Sequence, residues 1–163
     1  MILGNPYKFS IMTKTIHEWN TDEAFCNGIL LFCVAGTIFP TEIVTATLKC
    51  EIQPLKEKLN NPAIDVKLYA IQKEKAFVEI YNLTFPENVD INNDYKFDIS
   101  PDSFSDNNCF VFAVGNGEQV RIMAAKLNYL IKNSRHDLRR IDVSETFLDA
   151  TEIKKIASEL DIF

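Results

Sequence analysis

The chain has 163 residues, 47% of them hydrophobic, and its twelve Phe, five Tyr and one Trp exclude a disordered polymer and suffice for one buried core. Its longest apolar run, residues 29–35, is too short to cross a bilayer and follows no basic leader, so the expected location is the cytoplasm. A net charge of -6 excludes general nucleic-acid binding, which needs clustered Lys and Arg.

Taken in chain order, Gly4-Asn5-Pro6 is a turn, and residues 8–19 alternate as a half-buried strand with Phe9, Ile11, His17 and Trp19 on one face. His17 is then a core imidazole. Asn27-Gly28 signals a turn into a central strand over 29–34. Thr37–Phe39 pairs next and ends at Pro40, and residues 45–52 alternate as another strand. Leu55 and Leu59 suggest a short helix stopped at Asn60-Asn61-Pro62. Residues 65–83 carry Leu68, Ile71, Val78 and Tyr81 near helical spacing, although 66–68 and 77–80 could instead pair as strands. Cys109–Val114 and Glu118–Leu130 flank Gly115-Asn116-Gly117, a strong hairpin signal. A second hairpin turns at 133–137 and returns through 138–143. Asp149 and Glu152 form a capping box for a final helix with Ile153, Ile156, Ala157 and Leu160 as its apolar stripe. The expected fold is α+β, a single domain over 1–163 with a mostly antiparallel sheet, a middle helix and a C-terminal helix.

Residues 85–108 hold Glu87, Asp90, Asp94, Asp98, Asp102 and Asp106 against a single Lys96, a net -5 of the chain's -6. Four-residue spacing would stack like charges on a helix, and Pro101 with its Ser, Asn and Asp neighbours disfavours one. An extended chain places residues 90, 94, 98 and 102 on one face and turns Tyr95, Phe97 and Ile99 to the core. Two readings stay open: a solvated edge strand with loops, or an acidic docking surface for a basic partner. On the second reading Glu87, Asp90, Asp94, Asp98, Asp102 and Asp106 make the contact, with Tyr95 and Phe104 as aromatic anchors.

Catalytic signatures are missing. The five glycines serve turns, and no phosphate-cradling G-x-x-x-x-G-K-[ST] string occurs. Cys26, Cys33, Cys50 and Cys109 lack C-x-x-C spacing and read as reduced thiols. His136 lies in a basic turn with Lys132, Arg135, Arg139 and Arg140 and is expected to be solvated. Asp90, Asn92 and Asp94 mimic the start of a calcium loop, but Tyr95 stands where its glycine belongs and Pro101 where its glutamate belongs. No catalytic residue, cofactor or metal is expected. Carboxylate- or metal-dependent hydrolysis, or an adaptor role, stands as the alternative to partner binding.

A set of short strings resembles the bacterial immunity protein 42 family. They are Gly4-Asn5-Pro6 with Phe9-Ser10-Ile11, Asn27-Gly28, the stretch 36–40, Ala76-Phe77, Thr84-Phe85-Pro86, Asn93-Asp94-Tyr95, Ile99-Ser100-Pro101, and Phe112-Ala113-Val114 leading to Val120-Arg121-Ile122. Asn5 stands where Gly-Asp-Pro is expected. The resemblance implies a small cytoplasmic, non-enzymatic protein that binds and neutralises a cognate toxin, as in contact-dependent growth inhibition. Many such toxins are nucleases with basic clefts, which an acidic surface would complement; neither nucleic acid nor membrane is an expected partner.

Overall fold

A computed structural model describes residues 1–21 and 26–161. β1 (Ile2–Gly4), β2 (Phe9–Thr15), β3 (Asn27–Val34) and β4 (Thr37–Phe39) form an antiparallel sheet in that order, and β5 (Ala46–Thr47) pairs with the start of β3. At the β1–β2 turn, Asn5 Oδ1 accepts the Tyr7 N–H at 2.9 Å. An Asn side chain closes this turn as an Asp would.

The long strand expected over 8–19 stops at Thr15, and His17–Trp19 form a 3-10 turn. Asn20 redirects the chain: its Nδ2 donates to the Ile16 and Asn27 carbonyls at 2.7 and 2.9 Å, and its Oδ1 accepts the Asn27 N–H at 2.6 Å. His17 and Trp19 are therefore exposed, which corrects the core imidazole. Asn27-Gly28 is likewise no turn. Both residues lie within β3, where Gly28 opposes Thr15 and Ala46. A Cβ at Gly28 would sit 2.2 Å from the Lys14 carbonyl oxygen, so close strand approach, not turning, demands the glycine.

The strand expected over 45–52 yields after β5 to α1 (Leu48–Asn60). Leu48, Ile52, Leu55 and Leu59 are buried at helical spacing, and this stripe outweighs local β propensity and tolerates Pro54 within the helix. The helix expected over 65–83 is divided into α2 (Val66–Ala70) and α3 (Lys73–Thr84). Asp65 caps α2 by accepting the Leu68 N–H at 2.9 Å. The division comes from a distant residue: Arg121 Nη1 donates to the Leu68, Tyr69 and Ile71 carbonyls at 3.2, 3.0 and 2.7 Å, drawing the chain out of the helix.

β6 (Cys109–Gly115) and β7 (Gln119–Lys126) form the expected hairpin. Asn116 Oδ1 accepts the Glu118 and Gln119 N–H groups, and Gly117 takes φ +103°. β8 (Asn128–Leu130) and β9 (Arg135–Asp137) make the second hairpin. No strand follows at 138–143. Leu138 and Ile141 pack against the core there, and the strand that returns to β7 is β10 (Ser144–Asp149). α5 (Ala150–Glu159) starts at the expected capping box, with Glu152 accepting the Asp149 N–H at 2.9 Å.

The β6–β7 hairpin of the β10-β7-β6 sheet is buried on both faces. Val111, Ala113, Ile122 and Ala124 face the first sheet, α1 and α5, whereas Phe110, Phe112, Met123 and Ala125 face α2 and α3. Every residue of β6 is consequently buried, and it reads as an unbroken apolar run without alternation. The fold is a single α+β domain with antiparallel sheets, as expected. All four cysteines are unpaired thiols, and among the described residues no helix is long and apolar enough to cross a membrane.

Candidate partner-binding surface

The acidic segment leaves α3 at Phe85, whose N–H bonds the Tyr81 carbonyl at 2.8 Å. It then runs as successive turns, not as the extended face expected. Asn88, Asp94 and Asp98 each accept the backbone N–H two residues on, from Asp90, Lys96 and Ser100 at 3.0, 3.2 and 2.8 Å. Such side chains compete with strand pairing by offering the backbone a local partner. Asn93 Nδ2 pins the segment to α3 by donating to the Thr84 carbonyl at 2.8 Å.

The sequence-derived site residues consequently divide. Glu87, Asp90, Asp102 and Asp106 are exposed, and Asp94 is partly so. Glu87 pairs with Arg135 across the fold, and Asp94 pairs with Lys96 Nζ at 3.0 Å. The hydrogen bond from Lys96 holds the Asp94 carboxyl below its usual range. Asp98 is only 7% exposed, so it contributes no docking surface; burial pushes its carboxyl above the usual range despite the hydrogen bond from Ser100. Phe104 is fully buried in α4 (Asp102–Ser105), 4.5 Å from the Phe32 ring, and cannot be an exposed anchor. Tyr95 is half exposed where a core position was expected, while Phe97 and Ile99 are buried as expected. Asp102 lies by α1, in a small recess with Lys58 and Glu51, away from the aromatic neighbourhood of Glu87.

That neighbourhood is the feature missed in the sequence. His136, expected to be solvated, turns inward: its Nδ1 lies 2.6 Å from the Tyr81 hydroxyl and its Nε2 lies 2.8 Å from Asn108 Oδ1. Phe110 and Tyr129 pack edge-on at 5.0 and 5.2 Å between ring centres, and Phe85 continues the array to Tyr95 at 6.0 Å. Burial pushes the His136 imidazole below its ordinary range. The rest of the basic cluster is partly neutralised, since Arg139 grips Asp137 with two hydrogen bonds of 2.9 Å and holds that carboxyl down at about 2. The one available signal was the aromatic spacing of Tyr81, Phe85, Phe110 and Tyr129, which becomes meaningful only once α3, β6 and β8 are brought together.

A pH dependence follows from His136. In the unfolded chain it takes up a proton near pH 6.5, whereas the folded chain resists protonation until lower pH. The unfolded state therefore binds more protons as pH falls below about 6.5, and stability drops in that direction. Urea unfolding at about pH 7 and pH 5.5 is expected to show a lower midpoint at the acidic value. A His136→Gln variant, although less stable throughout, is expected to lose most of that slope. The raised carboxyl of Asp98 acts with the opposite sign, stabilising as pH falls toward the carboxylate range, so the His136 contribution is read above it.

An α+β domain of this design, with helices packed on antiparallel sheets, is the fold of an immunity protein, whose role is to neutralise a toxin. The chain belongs to the immunity protein 42 family, whose model matches residues 1–163. Its fold is similar to the crystal structure of CdiI from Burkholderia dolosa AUO158, with a TM-score of 0.77 at 25% identity over 98% of this chain and 97% of that chain. No curated protein sequence matches the chain.

Proposed function

We propose that this protein acts in the cytoplasm in contact-dependent growth inhibition, as a non-enzymatic inhibitor that binds a cognate nuclease toxin and covers its basic substrate cleft. The observation that carries this reading is the charge distribution: a net -5 of the total -6 lies in residues 85–108, and Glu87, Asp90, Asp94, Asp102 and Asp106 all retain exposure. Carboxylates can occupy the phosphate-binding cations of a nuclease cleft without any chemistry of their own. Membership of an immunity protein family supports the toxin as partner.

The experiment uses a purified cognate toxin domain. Calorimetry is expected to give a 1:1 complex, and one equivalent of the protein is expected to abolish cleavage of nucleic acid by the toxin. Continued cleavage at an excess of the protein, or catalytic consumption of a substrate by the protein itself, would overturn the proposal.

A further inference from the structure

The array around His136 bounds an open cleft of about 520 Å³ between the end of α3 and the β8–β9 hairpin. Its walls include Tyr81, Phe85, Phe110, Tyr129 and His136, and Glu87 stands at its edge. Asn133, Ser134 and Arg135 add polar groups to the lining, whereas the polar atoms of Tyr81 and His136 are spent on one another. Tyr81 and Asn108 engage both nitrogens of His136, leaving ring surface in place of donors and acceptors.

We propose that this cleft receives an arginine side chain of the toxin, stacked on the aromatic walls and paired with Glu87. The proposal rests on the reading of the chain as a toxin-binding protein and specifies where its interface is anchored. A planar, weakly hydrated guanidinium gains from aromatic surface and from a carboxylate together, a combination that suits neither an acid nor a purely apolar side chain. Glu87 retains capacity: Arg135 engages only its Oε1, and the side chain is 68% exposed. Arg135 lines the same cleft and its charge balances that of Glu87, so an incoming guanidinium shares Glu87 with it, while a neutral His136 adds no opposing charge. Asp90 lies exposed three residues beyond Glu87 and extends the negative field on the approach. Arginine and tyrosine are also the side chains that most often carry interface energy.

The test needs no toxin, so its failure is distinguishable from failure of toxin neutralisation. Arginine amide, citrulline amide, norleucine amide and aspartate amide are titrated into the full chain while the tyrosine and histidine ring resonances are followed by NMR. Arginine amide is expected to shift the Tyr129 and His136 signals saturably, with a dissociation constant on the order of millimolar. Citrulline amide, of similar shape but uncharged, is expected to give no saturable shift. Tyr129→Ala and Glu87→Gln, both at exposed positions, are each expected to weaken arginine amide binding by about fivefold or more. Equal responses to citrulline, norleucine or aspartate amide would overturn the proposal. So would no response to arginine amide, or a response unchanged in both variants.

Discussion

Replacing Arg121 with Ala is expected to cost about 3 kcal/mol of folding stability, the low end for breaking a buried ion pair, because Glu145 keeps 28% exposure. The guanidinium is only 3% exposed and serves two masters. Its Nε and Nη2 bond Glu145 Oε2 at 2.9 and 2.8 Å, while Nη1 satisfies three carbonyls where α2 ends. Truncation leaves Glu145 without its partner and those carbonyls without a donor, costs that add to the lost packing over the Phe147 ring. Against a typical total of about 5–15 kcal/mol, the loss is a large share of the stability. Arg121→Lys keeps the charge without the forked geometry and is expected to fall between the two. Urea unfolding followed by circular dichroism checks both variants; an Arg121→Ala midpoint close to wild type would refute the role assigned to this residue.

Arg121 also shows why part of the fold was illegible in the sequence. Periodicity over residues 65–83 reveals a helix, but its division at Ile71 is imposed by a side chain some fifty residues downstream. Local signals succeeded where the governing contacts are themselves local. The β6–β7 hairpin follows from Asn116 and Gly117, and α5 follows from the Asp149–Glu152 box. The start of α1 resembles a strand because the β-branched Thr45 and Thr47 precede it, until Leu48 and Ile52 are counted with Leu55 and Leu59. In the candidate surface, the acidic composition was plain, but Asp94 and Asp98 close local turns and do not line one strand face. The inward position of His136 depends on Tyr81 and Asn108, 55 and 28 residues away along the chain, which no spacing rule connects to it.

The largest functional effect is expected from reversing charge beside the aromatic cleft. A Glu87→Lys, Asp90→Lys double variant is expected to weaken toxin binding by about 2–5 kcal/mol, the range for disrupting a desolvated interfacial charge pair. Both residues are exposed, so the effect on folding should stay near 0.5 kcal/mol per site, apart from the modest loss of the Glu87–Arg135 pair. Asp98→Lys serves as the contrast: a buried carboxyl replaced by a longer cation is expected to disrupt folding, and with it protection, without reporting on the interface. Protection of toxin-expressing cells, read together with the soluble protein level, separates the two outcomes. Full protection by the double variant at normal abundance would show that these carboxylates do not meet the toxin.

The claim that the acidic segment meets a basic toxin is tested most directly by stopped-flow association with the purified toxin domain across a salt series. The segment concentrates nearly all the chain's net charge and can steer an oppositely charged partner from a distance. Between about 0.05 and 0.5 M salt the Debye length falls from roughly 14 to 4 Å, so the association rate is expected to fall steeply. Dissociation, governed by desolvated contacts around Tyr95 and the aromatic cleft, is expected to change much less. A steep association rate that flattens in the Glu87→Lys, Asp90→Lys variant is the predicted result. An association rate independent of salt in the wild-type protein would contradict the account and place the binding surface elsewhere on the fold.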